Sequence, residues 1–479
     1  MSVFTDFLKT AALNPDVTLK DHQSQARDRI VDGADGQLLY HGTGTGKSLS
    51  SLAGVEAIPA SAVNAVMPAA LRINYRKELA RYVQPASRSK YQVSSYDKAR
   101  NGLPEADVLV ADEVQRLRNQ GSSYQGVLDA ARKAQHRILL SATPLVNAPG
   151  DLATVVNLLH GKQLYTPEEF EKEFVDEGVK RPWFGLGRPR VVTTIANRKK
   201  LQKLLEGRVH YVGGQEVAKD QPTSQVQTVD VEMSRTQDAV NRLAQGRMPA
   251  LLRWKVRRNL PPNKRQANQL NAFMSGMRQI GLSPYGFDQR LSTVDAFDQS
   301  PKLKAALTDL KAELNKPHGK AMAFSNYIDA GLVPFAAGLS REKIPYAMIH
   351  GGMSDADRKK QVEAYNNDKV RTILLGPAAS EGLSLKGTSL AQVLDPHWHQ
   401  ARLDQAKARA IRLDSHTHLP VNLRNVDIRQ YVSQPRRSLL RRLLGMRPAV
   451  GSDEYLYSRA AEKQQKLDVF NNFLKTMGQ

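Results

Sequence analysis

The first third of the chain alternates short apolar runs with stretches whose apolar residues recur at helical spacing. GQLLY, AVNAVM, KYQVSSY, ADVLVAD and HRILLS read as buried strands, and KSLSSLAGVEAI and QGVLDAARKA read as helices between some of them. Such alternation predicts a parallel sheet covered by helices, an α/β class. From Asp151 to about Ser300 the pattern turns helical, polar and basic, with breakers at Gly185, Gly187, Pro189 and Pro261-Pro262. It then returns: KAMAFSN, YAMIHGG, RTILLG and AQVLD predict the strands of a second α/β unit over about 301–414. The tail predicts a helix, EYLYSRAAEKQQKLDVFNNFL, with Tyr455, Leu456, Ala460, Leu467 and Phe470 as its apolar face.

Where the first strand ends, the chain reads HGTGTGKS and enters a helix. Gly42, Gly44 and Gly46, with Thr43 and Thr45 between them, suit a tight turn that offers backbone N–H groups to phosphate. A following helix adds its positive end. In such a loop Lys47 holds the β- and γ-phosphates of ATP, and the Ser48 hydroxyl holds Mg²⁺. The strict P-loop pattern has glycine where this chain has His41. Further on, ADVLVADE puts Asp112 and Glu113 at the end of an apolar strand. Asp112 suits Mg²⁺, mostly through water, and Glu113 suits the attacking water. An Asp-Glu pair after a strand is by itself an ordinary solvated turn; the upstream loop gives it meaning.

Composition then narrows the partner. The 479 residues carry a formal charge of +22 and contain no cysteine. Length suits two domains plus insertions, and the charge favours nucleic acid over an acidic membrane. Disulfides, zinc–thiolate sites and iron–sulfur clusters are excluded. No long apolar run predicts a signal peptide or membrane span, so a soluble intracellular protein without a membrane partner is expected. Between Asn241 and Ile280 stand nine Lys or Arg (Arg242, Arg247, Arg253, Lys255, Arg257, Arg258, Lys264, Arg265 and Arg278) and no Asp or Glu. A second cluster is Arg436, Arg437, Arg441, Arg442 and Arg447. Any one of these suits mere solubility. As blocks they suit phosphate contacts, with Arg257 and Arg258 as candidates.

The order of these motifs resembles superfamily 2 helicases, and within them the Swi/Snf ATPases and related poxviral and phage ATPases. LKDHQSQ looks like the Q motif, which implies that Gln23 reads adenine. VMPAALRINYRKEL, with Pro68, Leu71, Asn74, Tyr75 and Glu78, and VSSYDKA, with Ser95 and Tyr96, resemble nucleic-acid segments; Pro68 and Ser95 are the implied contacts. DEVQRLRN is similar to the Asp-Glu-x-His box, with Gln115 for His. SATPLVN, Ser141 to Asn147, is similar to the coupling motif. AFSNY, around Ser325, and IHGGMSDADRKKQVEAYN resemble stretches of the second lobe. ASEGLSL resembles motif V through Gly382 and Leu385, with Ser384 where Asn or Asp is commoner. DPHWHQARLDQAKARAIR resembles motif VI, which implies Arg409 and Arg412 as arginine fingers and places Gln405. Ala408 and Ile411 replace the usual Gly and His, and Leu413-Asp414-Ser415 replaces Ile-Gly-Gln.

The resemblance implies two RecA-like P-loop lobes with parallel sheets, a helical insertion and a C-terminal helix. Its boundaries are an ATP-binding lobe over 1–165, a basic helical insertion over 166–300, a C-terminal helicase lobe over 301–435, and a basic segment with a helix over 436–479. It implies ATP bound between the lobes and nucleic-acid-stimulated hydrolysis that drives translocation on duplex DNA. A strand-separating DNA or RNA helicase is the nearest alternative. A nucleic-acid-binding module with an inactive ATP site and a P-loop enzyme for small molecules are more distant ones. A recruiting protein partner, and the biological process, stay open.

Overall fold

The computed structural model describes residues 12–42, 44–180, 190–213, 222–286, 291–377, 385–395, 415–436 and 451–479. The chain forms two compact units, Met1–Lys219 with Glu462–Gln479, and Asp220–Ala461.

In the first unit, helix α1 (Asp21–Asp32) precedes β1 (Gly36–His41), α2 (Lys47–Glu56), β2 (Val63–Met67), α3 (Arg72–Tyr82), β3 (Tyr91–Ser95), β4 (Val108–Asp112), α4 (Ser122–Lys133), β5 (His136–Ser141) and α5 (Asp151–His160). A hairpin of β6 (Val175–Lys180) and β7 (Arg190–Ile195) and a short β8 (Val209–Val212) follow. The main sheet has the order β3-β2-β4-β5-β1-β8, and every pairing in it is parallel. Strands β1, β2 and the first four residues of β4 are buried on both faces or nearly so, which is why they read as apolar runs. Alternate side chains serve different layers. Leu38, Leu109 and Leu139 pack with α4 and α5, while Leu39, Val110 and Ile138 pack with Ile30 of α1 and Leu52 of α2.

In the second unit, β9 (Thr223–Glu232) leads into α6 (Arg235–Arg247), α7 (Ala250–Arg257) and α8 (Lys264–Leu282), then α9 (Pro301–Leu314). Strands β10 (Ala321–Phe324), β11 (Ala347–Ile349), β12 (Thr372–Leu375), β13 (Leu390–Val393) and β14 (Asn425–Gln434) complete it. Their sheet, β11-β12-β10-β13-β14-β9, is again all parallel. The expected α/β architecture of two parallel sheets with flanking helices is what the chain adopts. Among the described residues no helix is long and apolar enough to cross a membrane.

The stretch 166–300 is not one helical insertion. It carries β6, β7, β8 and β9, and it divides between the two units. Strand β8 adds to β1 in the first sheet, and β9 adds to β14 over ten residue pairs in the second. Both are outer strands, held by backbone pairing. TSQVQTVDVE is largely exposed, so it lacks the apolar signature that marks the inner strands. The tail helix α10 (Ser452–Gly478) is present, and the five residues expected on its apolar face are buried. They serve two cores. Tyr455 and Leu456 pack with α7 and α8 in the second unit, while Leu467 and Phe470 pack within the first.

The second unit also buries an ionic knot. Arg278 of α8, only 6% exposed, donates to the Asp395 carboxylate at 2.7 Å. The Asp395 carboxylate also accepts from the Ser325 hydroxyl (2.7 Å) and from the Asn326 backbone and side-chain amides (both 2.9 Å). The Arg278 guanidinium lies 4.9 Å from the Tyr327 ring centre. Arg278 is therefore not part of an exposed phosphate-contacting face, contrary to the reading of its neighbourhood as one basic block. Removing one partner of such a pair strands a buried charge. Arg278→Ala is expected to destabilise the second unit by about 3–5 kcal/mol in urea unfolding, and the exposed Arg258→Ala by less than about 0.5 kcal/mol.

Candidate active site

The glycine loop lies between β1 and α2, and its geometry follows from two left-handed residues. Gly44 and Gly46 have φ of 83° and 79°. The left-handed backbone favours glycine at Gly46, and a Cβ there would displace Nε2 of Gln23, 2.4 Å away. Thr45 closes the turn, its hydroxyl donating to the Gly42 carbonyl at 2.8 Å. The N-terminus of α2 then carries Lys47 and Ser48, both half-buried. Thr43 lies outside the described residues.

Helix α1 braces this loop. At Gly54 of α2 an added Cβ would meet Ile30 at 2.3 Å, so the missing side chain lets α1 and α2 approach closely. That approach sets His22 and Gln23 against the loop: His22 Nε2 is 2.9 Å and Gln23 Nε2 3.3 Å from the Thr45 carbonyl. The other end of the Gln23 amide accepts from the Lys20 N–H at 2.9 Å. Both ends of the side chain expected to read adenine are thus engaged within the protein. Behind the loop, His41 is fully buried at the end of β1, with Nε2 2.8 Å from Nδ1 of His210 on β8. Burial first, then the neighbouring His210, pushes His41 down to about 3; burial and Arg29 push His210 down to about 4. His210 could not be linked to the loop from the sequence, because its strand has only four residues.

The two acids stand where β4 ends. Lys47 Nζ lies 3.4 Å from Glu113 Oε1. Glu113 adopts φ of 55°, a left-handed conformation unusual for a non-glycine residue. Its N–H donates to Asp112 Oδ1 at 2.9 Å, and the Tyr96 hydroxyl donates to the Asp112 carbonyl at 2.6 Å. Burial pushes Asp112 up to about 6; Lys47 opposes the shift and Glu113 adds to it. Lys47 thus only partly offsets the burial of the Asp112 carboxylate. Hydroxyl and carboxylate oxygens at Ser48 and Asp112 fit a hard divalent cation such as Mg²⁺. No group of three or more His, Cys, Asp or Glu is placed to hold a metal among the described residues. A cation here thus fits a site completed by phosphate and water oxygens.

A hydrogen-bonded run leaves this centre. Gln115 Nε2 donates to Glu113 Oε2, the Ser141 hydroxyl donates to Gln115 Oε1 at 2.7 Å, and the Thr143 N–H donates to Ser141 Oγ at 3.0 Å. The loop beyond is pinned by Asp151, whose Oδ2 accepts from the N–H groups of Val146 (2.8 Å) and Asn147 (2.6 Å). Gln115 thus fills the place of the expected His and still bridges the acid box to the SATPLVN segment.

The expected nucleic-acid residues fare differently. Pro68 is half-buried and starts the short turn before α3. Ser95 is buried, and its hydroxyl caps the next helical turn by accepting from the Lys98 N–H. That leaves it placed for structure rather than contact. Tyr75 is a core residue. Arg257 and Arg258 are exposed. Gly382, Gln405, Arg409 and Arg412, and Arg437 to Arg447, lie outside the described residues.

Residues 89–280 match the SNF2-related domain family, and residues 302–414 match the helicase conserved C-terminal domain family. A protein of Acanthamoeba polyphaga mimivirus named as an ATP-dependent RNA helicase is 26% identical over 475 residues, covering 95% of this chain and 96% of the relative. The Arabidopsis thaliana protein CHROMATIN REMODELING 4 is 25% identical over 327 residues, 66% of this chain and 14% of that protein. The solved SWI2/SNF2 ATPase core of Sulfolobus solfataricus in complex with dsDNA aligns over 94% of this chain and 95% of its own, with 17% identity and a TM-score of 0.36.

Two outcomes test the geometry. Folding raises the Asp112 pKa from 3.8 to about 6, so it favours the protonated group. The associated stability is present below the unfolded pKa and lost as pH rises through about 6. Asp112→Asn is therefore expected to stabilise the nucleotide-free protein by up to about 3 kcal/mol above pH ~7, with little gain near pH ~4, as read by thermal unfolding across pH. Gln115→Ala is expected to lower kcat for ATP by about tenfold or more while KM moves less than about threefold; an equal rise in KM would assign Gln115 to binding instead.

Proposed function

The chain belongs to the Swi/Snf-type ATPases of helicase superfamily 2, and from that premise we propose that it couples ATP hydrolysis to movement along duplex DNA. The observation that carries the coupling is the run from Glu113 through Gln115 to Ser141 and Thr143. A change at the hydrolytic carboxylate reaches the segment after β5 through three hydrogen bonds. The exposed arginines of the stretch after α6 supply the affinity for a phosphate backbone.

In this reading the loop N–H groups and Lys47 hold the ATP phosphates. Ser48 and Asp112 would hold Mg²⁺, which when bound would supply positive charge against the phosphates. Glu113 orients the attacking water and accepts its proton. Lys47, 3.4 Å from Glu113, places its charge between the acid and the phosphates as substrate enters. Gln23 and His22 fix the loop through Thr45, so adenine is met by the same brace that shapes the phosphate site. Arg409 and Arg412 supply positive charge to the transferring phosphoryl group, a contribution worth about 10³–10⁵ in rate for an arginine finger.

A second reading, strand separation on RNA, is favoured by the name of the mimivirus relative. ATPase assays with duplex DNA, single-stranded DNA and RNA, run beside triplex-displacement and unwinding gels, decide between them. The expected result is stimulation of kcat by duplex DNA of about tenfold or more, loss of turnover in Glu113→Gln, and triplex displacement without unwinding. Stimulation by RNA alone, with unwinding, would establish the second reading. Indifference to every nucleic acid would sink the motor.

A further inference from the structure

We propose that the outward face of α7 is a stacking platform for an unpaired nucleotide base, built on Trp254. The inference rests on the reading of nucleic acid as the partner and goes beyond it to a particular contact.

The helix divides sharply. Leu252 and Val256 are buried with Met248, Leu270, Met274 and Met277. At helical spacing the opposite face presents Ala250, Leu251, Trp254, Arg257 and the following Arg258, all exposed. Trp254 is 48% exposed and Leu251 56%. Packing of α7 is complete without them, so folding gives no reason to hold the largest apolar side chain in water. The Arg258 guanidinium lies 5.8 Å from the Trp254 ring centre, a cation–π arrangement that steadies the indole beside a positive charge.

Charge selects the occupant. No acid occurs between Asn241 and Ile280. Some cations there are engaged locally: Arg278 is buried, Arg253 donates to the Gln245 and Gly246 carbonyls, and Lys255 to Gln266 and the Pro261 carbonyl. Arg247, Arg257, Arg258 and Arg265 are exposed. An exposed indole among exposed arginines fits a ligand that carries both phosphate and aromatic faces. A paired base keeps its faces inside the stack, whereas an unpaired one offers them to the indole. The platform therefore suits single-stranded segments, gaps and fork junctions, with little dependence on base identity.

Intrinsic tryptophan fluorescence of the full-length chain and its Trp254→Phe variant, titrated with oligo(dT), blunt duplex DNA and poly-glutamate, tests this. Oligo(dT) is expected to quench the unaltered chain, and Trp254→Phe to lose most of that quench. Trp254→Ala is expected to weaken oligo(dT) binding about tenfold while duplex binding changes less than about twofold. Equal quenching in Trp254→Phe, equal weakening of both DNAs, or poly-glutamate quenching Trp254 as strongly as oligo(dT) overturns the platform; the last assigns the face to an acidic protein. If Trp254→Ala still binds duplex and only the quench fails, the motor reading survives. If neither DNA binds the unaltered chain, both fall.

Discussion

Two carboxylates at the end of a buried parallel strand face one lysine, and the first unit is arranged to hold that imbalance. Lys47 and Glu113 form a half-exposed pair at 3.4 Å, an interaction of a kind that contributes at most about 1 kcal/mol. Attraction of that size does not fix the geometry. The backbone does. The register of β4 against β5, with Asp112 opposite Leu140, and of β1 against β5 brings the glycine loop, the acids and Ser141 to one edge of the sheet. The left-handed Glu113, the Tyr96 bond to the Asp112 carbonyl and Gln115 then aim the two acids separately. Asp112 takes most of the electrostatic cost, because burial acts on it first and Lys47 only partly offsets it.

Much of this was legible in the order of residues. Inner strands of a parallel sheet are apolar on both faces, so β1, β2, β4 and β5 could be read as runs, and the glycines of the loop could be placed at the first of them. The contacts between motifs were a different matter. Gln115 and Ser141 touch because β4 and β5 are neighbours, a pairing that spacing along the chain does not encode. Gln23 meets Thr45 because Gly54 lets two helices close on each other, and nothing in LKDHQSQ announces that. Strand β8 is buried but only four residues long, and β9 is largely exposed, so neither carries the apolar run that marks an inner strand. The stretch 166–300 consequently looked like one insertion when its ends complete two different sheets.

The basic stretch shows what counting charges leaves out. Nine cations without an acid form one block on paper. On the helices they separate by direction. Arg278 follows Met274 and Met277 on α8 and turns inward to Asp395, where it supports the Ser325–Asn326 turn after β10. Arg257 and Arg258 turn outward beside Trp254. Two successive helices thus divide one residue type between a buried anchor on α8, paired with an acid, and an exposed face on α7, where Arg258 lies over the Trp254 ring. The anchor's acid, Asp395, lies just past β13, so the pair ties α8 to the ends of β10 and β13.

The histidines behind the glycine loop invite a reading as a pH sensor, and their environment argues against it. His22, His41 and His210 gather at the root of the loop, with ring centres 4.9 Å apart for His41 and His210 and 6.4 Å for His22 and His41. Burial and mutual repulsion with other cations hold His41 near 3 and His210 near 4, so both stay neutral across the physiological range. A neutral pair can share one proton along its 2.8 Å contact and serve as rigid packing beneath Gly42. A charged imidazolium there would compete with Lys47 for the phosphates and for Glu113. Replacing the usual glycine by His41 is therefore compatible with phosphate binding because the side chain points into the sheet and stays uncharged. The group left to titrate near neutrality is Asp112, whose shift has the opposite sign and lies on the side of the site where a cation belongs.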